Sequence, residues 1–117
     1  MPVRVLLVDD DEAFRMSVAQ VLAQRGYDVV GQASTVAEAR AGVGRLQPDA
    51  LLLDVSLPDG NGVVFATELT RDGRPPRVLL TSTDSSAVTQ RLLERCGATG
   101  FVAKPDLVAV DLRSYLG

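Results

Sequence analysis

The run Ala50-Leu51-Leu52-Leu53 has no polar position before it stops at Asp54, and Val5-Leu6-Leu7-Val8 and Val78-Leu79-Leu80 are equally unbroken. A strand with one solvated face alternates apolar and polar residues. A continuous apolar run needs cover on both faces. The sequence predicts strands over Val3–Val8, Asp28–Ala33, Ala50–Leu53, Arg77–Thr81 and Thr99–Ala103. Between and after them lie helical patterns. Ala13–Arg25 carries Phe14, Val18, Val21 and Leu22 on one face and stops at Gly26. A capping box, Thr35-Val36-Ala37-Glu38, opens a helix to about Leu46, and further helices are expected over Val63–Arg71, Asp84–Cys96 and Leu107–Leu116. Strands joined by helical crossovers make a parallel sheet covered on both faces, so the fold class is α/β, doubly wound, in a single domain spanning residues 1–117.

Composition removes whole classes of chemistry. The 117 residues contain no histidine, which excludes the commonest general base and zinc ligand, and one cysteine, Cys96, which excludes an internal disulfide. A net charge of −3 offers no basic surface for DNA or anionic lipid, so neither direct nucleic-acid nor membrane binding is expected. No signal peptide or span-length apolar segment occurs, which predicts a cytoplasmic protein. Eleven arginines accompany a single lysine, Lys104, and that imbalance makes the position of the lysine informative.

In an open parallel sheet the reactive groups gather outside the carboxyl ends of the strands. Strand one ends in Asp9-Asp10-Asp11, strand three in Asp54, strand four in Thr81-Ser82 and strand five in Lys104-Pro105. If strands one and three are neighbours, at least three carboxylates share one cleft. They would repel one another unless a cation sits among them, and a hard divalent ion, Mg²⁺ first, suits oxygen ligands. Taken alone, each feature has a plainer reading: an acidic helix cap, a strand end, a solvated lysine. Four such features in order at four strand ends are a set of parts for phosphoryl transfer.

The pattern resembles the receiver domain of two-component response regulators, over essentially the whole chain. The resemblance rests on Val8-Asp9-Asp10, Leu53-Asp54-Val55 with Leu57-Pro58, Leu80-Thr81-Ser82, and Gly97-Ala98 followed by Gly100-Phe101-Val102-Ala103-Lys104-Pro105. It implies a CheY-like, flavodoxin-like sheet of order 2-1-3-4-5. It also implies that Asp54 is the phosphoacceptor and that Mg²⁺ is held by Asp10 directly, Asp9 partly through water, Asp54, and the Ser56 backbone carbonyl. Thr81 and Lys104 would bind the phosphoryl group and Phe101 would move with it. Ser56 and Thr83 would set the rate of dephosphorylation, and the Lys104–Pro105 peptide would be cis. The implied partners are a histidine kinase or phosphotransfer protein and an unknown downstream target or output domain. The surface near Phe101, residues 84–96 and residues 107–116 would change on phosphorylation, with a possible homodimer through the last two helices. Such a domain catalyses only its own phosphorylation and dephosphorylation and is otherwise not an enzyme.

Three positions depart from the family pattern: Ser82 in place of alanine, Asp106 in place of a bulky apolar residue, and Asn61 in place of an acid before Gly62. Competing readings are a phosphorylation-independent receiver-like interaction domain and a Mg-dependent aspartyl phosphatase. The phosphatase pattern wants alternating acids on strand one and a late acid where Lys104 stands. A dinucleotide binder would need a glycine-rich first loop, and Asp9–Glu12 would repel phosphate. The ending Tyr115-Leu116-Gly117 reads as a finished helix, which predicts a stand-alone receiver.

Overall fold

In the computed structural model, which describes residues 1–71 and 73–117, strands and helices follow in the order β1 (Arg4–Val8), α1 (Glu12–Gln24), β2 (Asp28–Ala33), α2 (Val36–Leu46), β3 (Ala50–Asp54), β4 (Ser56–Leu57), β5 (Gly60–Asn61), α3 (Gly62–Leu69), β6 (Arg77–Ser82), α4 (Gln90–Cys96), β7 (Gly100–Ala103) and α5 (Arg113–Leu116). The main sheet has the order β2-β1-β3-β6-β7, and all its pairings are parallel. This is the expected 2-1-3-4-5 arrangement. The numbering differs because β4 and β5 form a separate two-residue antiparallel ribbon.

The unbroken apolar runs split by alternation between two cores. Leu6, Val8, Leu51, Leu53, Val78 and Leu80 face Val36 and Ala39 of α2, Phe65 and Ala66 of α3, and Cys96 of α4. Val5, Leu7, Leu52, Leu79 and Val102 face Val18 and Leu22 of α1 and the C-terminal Leu107, Leu112 and Leu116. The residues of β1, β3 and β6 in these cores are at most 3% exposed. Each such side chain contributes about 1.5–3 kcal/mol through burial, which fixes the central strands and the loops at their ends. No helix among the described residues is long and apolar enough to cross a membrane.

Two expected helices are shorter than their sequence patterns suggest. Helix α4 begins at Gln90, not Asp84. The Asp84 carboxylate accepts from the Ser86 N–H (2.9 Å) and hydroxyl, the Ser82 hydroxyl accepts from the Asp84 N–H (3.1 Å), and Thr89 caps the helix by accepting from the Leu92 N–H (3.2 Å). Short polar side chains here satisfy the backbone outside a helix. The last helix is confined to Arg113–Leu116, preceded by a 3₁₀ turn over Lys104–Asp106. Between them the Arg25 guanidinium donates to the carbonyls of Val110 (2.9 Å) and Val108, taking both away from helical pairing.

The Lys104–Pro105 peptide is trans, as are all peptide bonds among the described residues, so the expected cis bond is absent. Pro105 lies in the first turn of the 3₁₀ segment, where its missing N–H leaves no bond unmade.

Candidate functional site

The sheet order reverses at β1, with β2 on one side and β3 on the other, and the crevice outside the carboxyl ends of β1 and β3 is where such sheets place ligands. Asp9 continues β1 through its N–H to the Ala33 carbonyl (3.0 Å) and is 2% exposed. Its Oδ1 accepts from the Asp11 N–H (2.8 Å), and the Arg15 guanidinium donates to its backbone carbonyl. Asp11 caps α1 by accepting from the Phe14 N–H (3.2 Å), so the third acid has a structural role. Asp10 is exposed, and no hydrogen bond to its carboxylate occurs among the described residues. Asp54, last residue of β3, is 5% exposed and accepts from the Ser56 N–H (3.3 Å). One carboxylate oxygen from each of Asp9, Asp10 and Asp54 lies within 4.8 Å of the others.

Lys104 enters from the end of β7. Its Nζ is 2.6 Å from Asp9 Oδ2 and 3.4 Å from Asp54 Oδ2, with the side chain 13% exposed. Burial alone would lower the lysine's pKa, but the two carboxylates outweigh it and hold the ammonium above its usual range. Burial, and then the charge of Asp9, push the Asp54 carboxyl above the ordinary aspartate range, with Lys104 opposing them. One ammonium thus pairs with two of the three clustered carboxylates.

Among the described residues, one buried polar side-chain atom has neither a hydrogen-bond partner nor an ion-pair partner. Thr81 pairs with Asp54 across the β3–β6 ladder and is 0% exposed, yet its hydroxyl has no hydrogen-bond partner. Asp9 Oδ2, by contrast, has the Lys104 ammonium as its partner. Buried polar atoms ordinarily have partners. An orphaned hydroxyl and an excess of hard oxygen donors beside one cation fit a divalent metal ion and an anionic group.

The other expected site residues lie around this cluster. Ser56 and Thr83 are exposed. Phe101 is half-buried and pairs with Leu80, whereas Thr81 pairs with Val102, so Thr81 and Phe101 are on adjacent strands but one position apart. The Ser82 hydroxyl caps the turn after β6, which gives this departure a local structural role.

Two residues near the site carry roles that sequence patterns did not reveal. Asn61 caps α3, its side-chain oxygen accepting from the Val63 N–H (2.7 Å) and the Val64 N–H (3.4 Å). Asp59 accepts from the N–H groups of Val36 (2.7 Å) and Ala37 (3.1 Å), tying the loop after Asp54 to the start of α2. These bonds hold the Asp59 carboxyl below its usual range. Asn61 lay in a recognisable turn, but the partner of Asp59 is 23 residues distant and leaves no local signal.

Known proteins share the sequence and the fold. A family model, the response regulator receiver domain, matches residues 5–113. The protein-glutamate methylesterase/protein-glutamine glutaminase 2 of Xanthomonas oryzae pv. oryzae is 39% identical over 117 residues, covering 97% of this chain and 33% of its own length. The DNA-binding transcriptional activator DevR/DosR of Mycobacterium tuberculosis is 44% identical over 117 residues, covering 94% of this chain and 51% of its own. Among solved structures, the response regulator domain of Thermotoga maritima CheB matches with a TM-score of 0.78 at 30% identity, over 97% of this chain and 86% of that one. The chain therefore spans a third to a half of the length of these two curated relatives. With the sheet order, the strand-end acids and these matches in agreement, the chain belongs to the response regulator receiver domains, the phosphorylation-controlled switches of two-component signalling.

Proposed function

We propose that Asp54 accepts a phosphoryl group from a phosphohistidine of a partner kinase or phosphotransfer protein, with Mg²⁺ held by Asp10, Asp54, Asp9 and the Ser56 carbonyl. The observation that carries this reading is the placement of the chain's only lysine between Asp9 and Asp54. An oxygen of Asp54 attacks phosphorus, the bond from phosphorus to the donor nitrogen breaks, and the histidine leaves with the electron pair. The product is a mixed anhydride on Asp54. Bound Mg²⁺ supplies charge that offsets the phosphoryl oxygens. Lys104 supplies a second, compact positive charge, and the unpartnered Thr81 hydroxyl is available to donate to a phosphoryl oxygen. The downstream effect is assigned to the surface near Phe101, with α4 and the C-terminal segment, where a target or a second copy of the chain would bind.

Incubation with a small phosphodonor and Mg²⁺ should add one hydroxylamine-labile phosphoryl group by intact mass, and excess chelator should prevent it. Undiminished labelling in chelator would reject the metal reading. The lifetime of the product depends on access for water. Ser56 and Thr83 are short and exposed, so they neither shield the phosphoryl group as a bulky side chain would nor position water as a long amide would. The lifetime should be intermediate. Thr83→Tyr should slow decay several-fold while Thr83→Ala changes it little. Equal decay of Thr83→Tyr and the parent at saturating Mg²⁺ would show that position 83 does not line the water's path.

A further inference from the structure

We infer that Phe14 is a positioning residue whose ring face holds the Lys104 ammonium in place for phosphoryl transfer. Lys104 Nζ lies over the Phe14 ring, 4.5 Å from its centroid. A cation within about 6 Å of an aromatic face is attracted by the ring's quadrupole, and more strongly where water is excluded. Lys104 satisfies both conditions, because its side chain is only 13% exposed. A lysine reaches its partners on a flexible four-carbon stem, so contacts to Asp9 and Asp54 at 2.6 and 3.4 Å do not by themselves fix its position. The ring adds a third contact of a different kind, one that persists if either carboxylate turns to another cation.

The placement of Phe14 suits this role. It lies in the first turn of α1, and its N–H donates to Asp11, the acid two residues beyond Asp9. The helix that carries the ring therefore starts in the loop that carries the acids. The ring also packs against the core on the α1 side of the sheet. A gap too small for water, lined by Phe14 with Val18, Leu52 and Thr81, adjoins it. The helical period of α1 accounts for an apolar residue at this position. It does not account for an aromatic face directed at the only lysine. A leucine would keep the apolar packing and lose the quadrupole, and this separates a positioning role from simple core filling.

The inference rests on the reading of Lys104 as the cation that meets the phosphoryl group, and its test has an arm independent of that reading. Since the chain has one lysine, the full chain grown with ¹³C-lysine gives a single set of ε-methylene signals. In the metal-free protein these should lie upfield of their position in an unstructured peptide, through the ring current of Phe14. Phe14→Tyr should keep the shift and Phe14→Leu should lose most of it. With a small phosphodonor and saturating Mg²⁺, Phe14→Leu should be phosphorylated about fivefold more slowly and Phe14→Tyr within about twofold of the parent, the range a cation–ring contact supports. An unshifted lysine signal in the parent protein overturns the inference without any variant. So does a Phe14→Tyr protein as slow as Phe14→Leu. A parent protein that takes no phosphoryl group rejects the proposed function instead, while the lysine signal still reports on the ring.

Discussion

Asp54→Asn is expected to abolish phosphoryl incorporation and to raise the melting temperature. The two effects share one cause. Asp54 is buried at the end of β3, with Asp9 and Asp10 oxygens within 4.8 Å and one ammonium that it shares with Asp9. Burial and the charge of Asp9 both oppose its ionised form. Like charges at this range cost on the order of 1 kcal/mol even at the dielectric of bulk water, and an amide removes that repulsion while keeping an oxygen that can accept from Lys104 and Ser56. For a domain of this size, ~1 kcal/mol corresponds to a rise of about 4 °C in metal-free buffer. The amide is not nucleophilic, so no hydroxylamine-labile mass gain should appear. Labelling of the variant equal to the parent would reject Asp54 as the acceptor, and a lower melting temperature would show that the carboxylate stabilises the fold. The variant also serves as the unphosphorylated reference for hydrogen exchange. Protection that differs only within residues 13–46 would reject the assignment of the output surface to Phe101, α4 and the C-terminal segment.

The parts of the fold legible in the sequence are those where one strong physical term acts alone. Burial of Leu51, Leu52 and Leu53 on both faces leaves no alternative to a central strand, and β2 and β3 end where the pattern changes. Sheet order then brings Asp9, Asp10, Asp54 and Lys104 together without further information. The C-terminal third was less legible because weaker terms compete there. Apolar spacing over 84–96 and 107–116 favours helix. The Ser82 and Asp84 side chains bind nearby backbone instead, and Arg25, 83 residues from Val108 in sequence, takes the carbonyls that a helix would use. A contact of that separation is invisible to any local pattern. The same holds for Asp59 on α2 and for the ring of Phe14 beside Lys104, which sequence periodicity places in the core and nothing more.

Gly62→Ala is expected to be the most damaging single-methyl change near the site. A Cβ at Gly62 would lie 2.2 Å from the Asp54 carbonyl oxygen, 3.0 Å from its carbon and 3.1 Å from Val55 Cα. All three are backbone atoms of a buried strand end, so no side chain can swing aside. The Gly62 N–H also donates to the Val55 carbonyl (2.7 Å), which holds the start of α3 against the loop that follows Asp54. Relief of the clash requires α3 or the end of β3 to move, and overpacking of this kind costs about 3 kcal/mol, or roughly 10 °C. Because the displaced atoms belong to Asp54 itself, phosphorylation should slow as well, even below the melting transition. Gly44→Ala is the control. Gly44 lies in α2, is exposed, and a Cβ there meets nothing within 4 Å, so the change should stabilise by about 0.5–1 kcal/mol through helix propensity. Thermal melts and labelling rates of the two variants should move in opposite directions for stability and diverge for rate, with Gly44→Ala labelled like the parent. A Gly62→Ala protein that melts with the parent and labels at its rate would mean that the α3 start can retreat from Asp54 without consequence, and the close approach would then have no part in holding the phosphoacceptor.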